Sequence, residues 1–99
     1  MNMQKLMMEA QKMQKKLQNE QKELENTDYE GNSSLVSIVI NGKKEVKSVK
    51  INTEDELTKD DIEMLEDMIM VAMNEAVKKA EADKEQRLGK YSQGLTGLI

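Results

Sequence analysis

The stretch "LVSIVINGKKEVKSVKIN", residues 35–52, decides how the rest of the chain must fold. Residues 35–40 are β-branched and aliphatic, which suits a strand buried on at least one face. Asn41-Gly42 follows, the strongest short-range hairpin signal in a sequence, and predicts a type I′ turn with both residues at positive φ. A return strand over about 45–52 sets Lys47, Val49 and Ile51 against Ser48 and Lys50. One face of this hairpin should be dry and the other wet.

Upstream, "TDYEGNSS" (27–34) is turn-rich. It predicts a short strand over about 27–30 with Gly31-Asn32 as the turn into the hairpin. Before it, residues 3–26 hold no glycine, proline or aromatic ring. Met3, Leu6, Ala10, Met13, Leu17 and Leu24 alternate spacings of three and four, interrupted once at Glu20, which makes an a/d seam on a helix. Downstream, Thr58-Lys59-Asp60-Asp61 is a capping box with a shorter acid than the preferred Glu, and it opens a second helix over about 59–90. Ile62, Leu65, Ile69, Ala72, Ala76 and Ala80 form that helix's buried stripe, widened by Met68, Met73 and Val77. Gly89 and Gly94 suggest its end, with a loose tail over 91–99.

The expected fold is therefore α+β, a single α-β-β-β-α domain over 1–99 with two long antiparallel helices and a small antiparallel sheet. A helix of about 30 residues is near 45 Å long, and short strands cannot cover it. The chain has no Phe, Trp or Cys and only two tyrosines, Tyr29 and Tyr91. A small core without aromatics, and a sheet with open edges, are both completed by a two-fold homodimer whose sheets meet and whose helix pairs point outward.

The absence of Cys and His removes thiol catalysis, disulfides and the commonest general base and metal ligand. The carboxylates Glu54, Asp55, Glu56, Asp60 and Asp61 lack the glycine and spacing of a calcium loop and read as a solvated helix entrance. No glycine-rich phosphate loop or nucleophile–base pair is present, so neither an enzyme, a small-molecule substrate, a metal nor a cofactor is expected. The longest apolar run, Met68 to Met73, is far too short to span a bilayer. No apolar block followed by small residues marks a signal peptide, so no membrane association and a cytoplasmic location are expected.

Net charge is −4, but it is segregated. Between Thr53 and Glu75, Lys59 is the one base among Glu54, Asp55, Glu56, Asp60, Asp61, Glu63, Glu66, Asp67 and Glu75. The bases gather on the first helix at Lys5, Lys12, Lys15 and Lys16, and late in the second at Lys78, Lys79, Lys84, Arg87 and Lys90. Antiparallel helices would bring these sets to one distal tip, where they could hold DNA phosphates. The plain alternative is a solvated surface with partners at i,i+3 and i,i+4, such as Glu81 with Lys84 and Asp83 with Arg87. No aromatic is expected in either helix to stack on unpaired bases, which disfavours a single-strand platform.

Three stretches, "LMMEAQKMQKKLQNEQKELE" (6–25), the hairpin block 35–52 and "DIEMLEDMIMVAMNEAVKKAEADKEQ" (61–86), resemble in order the YbaB/EbfC family of bacterial nucleoid-associated proteins. The resemblance implies an intertwined homodimer with tweezer-like protruding helices. It also implies DNA binding with little or loose sequence preference, expected from the charge reading to be on duplex DNA, and a place on the nucleoid in the bacterial cytoplasm. The chain departs from the family in the serines of "GNSSLV" (31–36) and in a tail, "GLTGLI" (94–99), without Pro-Gly. The competing reading is a non-enzymatic dimer that grips a protein partner through its helical tips or Met-rich seam.

Overall fold

The computed structural model describes the backbone of residues 2–96 and the side chains of 2–91. The elements are α1 (Met3–Glu25), β1 (Asp28–Ser33), β2 (Val36–Asn41), β3 (Val46–Ile51), a 3-10 turn (Lys59–Asp61) and α2 (Ile62–Thr96). The α-β-β-β-α order and the antiparallel sheet β1-β2-β3 are as the sequence predicts. Asn2 caps α1 by accepting a hydrogen bond from the Gln4 backbone N–H at 3.1 Å. At the entrance to α2, the Asp61 carboxylate accepts from the Thr58 N–H at 2.8 Å and from its hydroxyl at 3.1 Å, so the shorter acid does serve the cap.

α2 packs across β1 and β2 through Ala72, Ala76 and Ala80, all buried against Tyr29, Val36, Ile38 and Ile40. These alanines recur every four residues, so they lie on one helical face. Their small side chains let the helix backbone come close to the sheet. Gly31 completes that approach, for a Cβ on it would lie 1.9 Å from the Ala72 carbonyl oxygen. This corrects the turn expected at Gly31-Asn32. The glycine stays inside β1 because the helix needs the space, and the hairpin closes instead at Ser34-Leu35, with Ser34 at φ 48°.

The second hairpin also differs from the expected type I′ turn. Gly42 has no positive φ; the left-handed residue is Lys44, at φ 66°. The Lys44 N–H donates to the Asn41 carbonyl at 2.9 Å and the Asn41 N–H to the Glu45 carbonyl at 3.0 Å, a three-residue connection. The Asn41 side-chain oxygen accepts from the Lys43 and Glu45 N–H groups at 2.9 and 3.1 Å, which stabilises the longer loop. Gly42 is required for proximity, since a Cβ there would meet the Leu24 carbonyl oxygen at 1.9 Å. The strand pairing then slips: Val39 faces Ser48, but Ile40 faces Val46, leaving Lys47 as the extra residue of a bulge. Lys47 therefore does not share the apolar face expected for it; it pairs with Asp28 at 3.2 Å.

Two expected apolar stripes are only partly used. On α1, Leu24 is buried while Met3, Leu6 and Met13 are 72%, 47% and 56% exposed. On α2, Ile62 and Ile69 are exposed. α2 also runs past the expected end near Lys90, to Thr96. With no proline in the chain, Gly89 costs the helix about 1 kcal/mol without breaking it. Residues 97–99 of the expected loose tail lie outside the described residues. The result is a rod of 72 × 22 × 14 Å with a radius of gyration of 20.0 Å, against about 13 Å for a compact chain of this length.

The two glycine environments predict opposite outcomes. Gly31→Ala forces α2 off the sheet and should destabilise the protein by about 3 kcal/mol or more. Gly89→Ala should stabilise it by roughly 0.5–1 kcal/mol, since its added Cβ meets only the Glu85 side chain at 3.4 Å. Urea denaturation midpoints measure both. A tolerated Gly31→Ala would contradict the close approach.

Candidate nucleic-acid interface

Antiparallel packing carries α2 back along α1, but the bases do not converge on one tip. Lys12 and Lys16, one helical turn apart on α1, face Lys90 and Tyr91 of α2. With Met13 and Glu9 they line an open groove of about 510 Å³. The Lys90 ammonium lies over the Tyr91 ring, 5.1 Å from its centre. Lys15, between Lys12 and Lys16 in sequence, and Lys5, nearer the start of α1, are both exposed. Tyr91 falls inside α2, which overturns the expectation that neither helix carries an aromatic. The signal was in the sequence: Tyr91 is four residues beyond Arg87 and so shares its α1-facing side.

Arg87 has a different role. Its Nε donates to Asp83 Oδ2 at 3.0 Å, and its Nη1 lies 2.9 Å from Glu23 Oε2 and 3.4 Å from Glu20 Oε2. Asp83 Oδ2 also accepts the Tyr29 hydroxyl hydrogen bond at 2.6 Å. This network joins α1, α2 and β1. The hydrogen bond it donates to Asp83 pushes the guanidinium still higher above its ordinary value. The Tyr29 hydroxyl, followed by Arg87, holds the Asp83 carboxyl below the usual range. Burial, followed by the hydrogen bond to Asp83, raises Tyr29 to about 12. A guanidinium ringed by three carboxylates has little charge left for phosphate.

The other expected contacts are dispersed. Lys79 donates to the Glu30 carbonyl at 2.8 Å and lies 3.4 Å from Glu75, beside the sheet. Lys78 is exposed beside it, at the middle of α2. Lys84 lines a smaller groove of about 120 Å³ with Gly42, Lys43, Lys44 and Glu81. Lys44 forms an ion pair with Glu81, whose carboxyl it holds below the ordinary value. Lys43 and Lys44 thus join a second basic patch that sequence reasoning did not assemble, because it depends on Gly42 packing against the end of α1. Among the described residues, Lys5, Lys12, Lys15, Lys16, Lys78, Lys84 and Lys90 form no ion pair.

The model of the YbaB/EbfC DNA-binding family matches residues 1–95. A nucleoid-associated protein of Clostridium botulinum (strain Eklund 17B / Type B) is 46% identical over 98 residues, covering 97% of this chain and 86% of the relative. One from Staphylococcus saprophyticus is 50% identical over 96 residues, covering 95% of this chain and 90% of the relative. In fold, the chain is similar to an uncharacterized protein of Helicobacter pylori whose crystal structure aligns with a TM-score of 0.69 at 23% identity, over 87% of this chain and 91% of that one.

The Tyr29–Asp83–Arg87 network predicts how stability depends on pH at both extremes. Tyr29 has a raised value in the fold, so its contribution is complete below about pH 10. It is lost as pH rises toward the folded value of about 12. Asp83 has a lowered value, so its contribution is complete above about pH 4 and lost in more acidic solution. Tyr29→Phe should flatten the alkaline limb of a denaturation–pH profile, removing on the order of 2 kcal/mol of its fall. Asp83→Asn should flatten the acid limb. An alkaline limb identical in the native protein and Tyr29→Phe would exclude Tyr29 as its source.

Proposed function

Because the chain belongs to the YbaB/EbfC DNA-binding family, and is thereby a nucleoid-associated DNA-binding protein, we propose that it works as a homodimer. In this reading it holds duplex DNA by phosphate contacts from its protruding helices, on the nucleoid in the bacterial cytoplasm. The observation that carries the reading is the Lys12–Lys16–Lys90 groove, where unpaired cations from two helices gather far from the acidic segment 53–75. Ammonium groups on flexible stems position a protein on the phosphate backbone without reading bases, which suits loose sequence preference. Lys15 lies within the same turn of α1 as the groove lysines and Lys5 extends the track toward the start of α1, whereas Lys78 and Lys84 lie nearer the sheet. Arg87 and Lys79 act in the scaffold first. Among the described residues no helix is long and apolar enough to cross a membrane.

The dimer rests on the uncovered half of the sheet. Val36 faces Ile51, Ile38 faces Val49 and Ile40 faces Val46. Directly opposed residues share a face, so β3 continues the core face. Yet α2 covers the β1–β2 half and leaves Val46, Val49 and Ile51 at 52%, 50% and 43% exposed. Leu57, Ile62 and Ile69 are exposed as well. A second copy meeting this face would complete both cores and protect the β3 edge. Light scattering should give a dimer at micromolar concentration, and Val49→Lys should dissociate or unfold it. A folded native monomer would overturn this part of the reading.

One observation favours a protein partner instead: Met3, Leu6, Met7, Met8 and Met13 are all exposed on the tip half of α1. Salt dependence separates the two readings. If about four phosphates are neutralised, log K for duplex DNA falls with log salt at a slope near −3.6. Changing Lys12, Lys16 and Lys90 together to Gln should weaken binding and flatten the slope by roughly 0.9 per lost contact, while circular dichroism and the dimer stay unchanged. The comparator is Lys43, Lys44 and Lys84 changed likewise. If only the comparator loses DNA, the hairpin patch is the binding face. If native protein shows no salt-sensitive binding, the protein-partner reading takes its place.

A further inference from the structure

The chain has two aromatic rings, and only Tyr29 belongs to the core, where its hydroxyl is held by Asp83. Tyr91 lies toward the far end of α2, half-buried in the tip groove and outside the core cluster. Successive residues on a helix do not face each other, so the Lys90 side chain must fold back to set its ammonium over the Tyr91 ring. One face of the ring therefore meets an exposed ammonium on a long aliphatic stem, which a flat ligand can displace. Around it stand Lys12 and Lys16, the Met13 thioether and one carboxylate, Glu9, which leaves the groove a net positive charge. An aromatic face inside a cationic track is the combination that binds unpaired bases, the ring taking the base and the cations its flanking phosphates.

We propose that Tyr91 is a base-stacking residue. A DNA base exposed at a gap, end or mismatch stacks on its ring, while Lys12, Lys16 and Lys90 hold the neighbouring phosphates. In a continuous duplex both faces of every internal base are occupied by its neighbours, so the ring adds nothing until the stack is broken. The tips thus hold any duplex by charge and interrupted duplex more tightly. This proposal rests on the tip-binding reading given above.

The test uses the full-length protein and two DNAs, a 30-base-pair duplex and the same duplex with a two-nucleotide gap. The native protein should prefer the gapped DNA by about tenfold. Tyr91→Phe keeps the ring and should keep the preference. Tyr91→Leu should abolish it while leaving the continuous-duplex affinity within about twofold and the salt slope unchanged. Without tryptophan in the chain, tyrosine emission gives a second readout: gapped DNA should quench the native protein more than Tyr91→Phe, whose remaining tyrosine is in the core. A native protein without gap preference, or a Tyr91→Leu variant that retains it, overturns the proposal. Loss of preference in Tyr91→Phe as well assigns the effect to the hydroxyl and also overturns stacking. The tip reading fails separately, if the Lys12, Lys16 and Lys90 variant binds both DNAs like the native protein.

Discussion

The close approach of the α2 backbone to the sheet, at Ala72, Ala76 and Ala80 over Gly31, sets the geometry of the rest of the molecule. A stripe of alanines buries little apolar area per residue, so the fully buried centre of this contact is narrow, flanked by the partly buried Leu65, Met68, Met73 and Val77. α2 can rest on β1 and β2 but cannot spread over β3, and the apolar face of β3 stays open. The same contact fixes the axis of a 35-residue helix, about 52 Å long, against strands of six residues, each about 20 Å. Much of α2 must therefore project beyond the sheet. A narrow helix–sheet contact thus produces both an unfinished core and a long arm, and in the proposed dimer the first is what the partner fills.

α1 is held to this arm by few interactions, and their kinds are informative. Leu24 supplies the buried apolar contact, and Gly42 lets the hairpin close against the end of α1. Beyond that point Arg87 reaches Glu20 and Glu23 on α1 while it holds Asp83 on its own helix. A planar guanidinium can serve several carboxylates at once in a fixed geometry, which a lysine cannot do. The chain has a single arginine, and it is spent here. The lysines farther along, at Lys12, Lys16 and Lys90, have no such partners and keep their charge for solvent or phosphate. Along this arm, the difference between Arg87 and the lysines beyond it follows the chemistry of the two side chains.

The order of elements, the helical starts and the alanine stripe were legible in the sequence because each rests on local spacing or capping. The turns were misread for one reason. Gly31 and Gly42 carry the signature of chain reversal, yet each is kept for the proximity of a backbone distant in sequence, Ala72 in one case and Leu24 in the other. Nothing local distinguishes a glycine that bends from one that makes room. The basic residues were counted correctly but grouped too broadly. Antiparallel pairing of helices predicts Lys90 beside Lys12, whereas the recruitment of Lys84 by the hairpin and of Arg87 by three carboxylates depends on tertiary contacts. Tyr91 lies inside α2 rather than in a loose tail because the helix passes through both Gly89 and Gly94, the residues that suggest its end.

In the proposed binding geometry the acidic segment from Glu54 to Glu75 gains a physical role. A protein of net charge −4 is repelled by DNA at long range, so attraction needs local positive charge separated from the acids by more than the screening length, about 8 Å at physiological ionic strength. In a rod 72 Å long, the tip groove lies far beyond the alanine contact from the acidic entrance of α2. In the proposed binding mode each arm carries a cationic groove and an acidic helix entrance, and a phosphate backbone is drawn to the groove rather than to the entrance of α2. Had the protein been compact, the same residues would have lain within a few screening lengths and largely cancelled. Elongation thus lets an acidic chain present a cationic site, and that elongation comes from a 35-residue helix resting on strands of six residues.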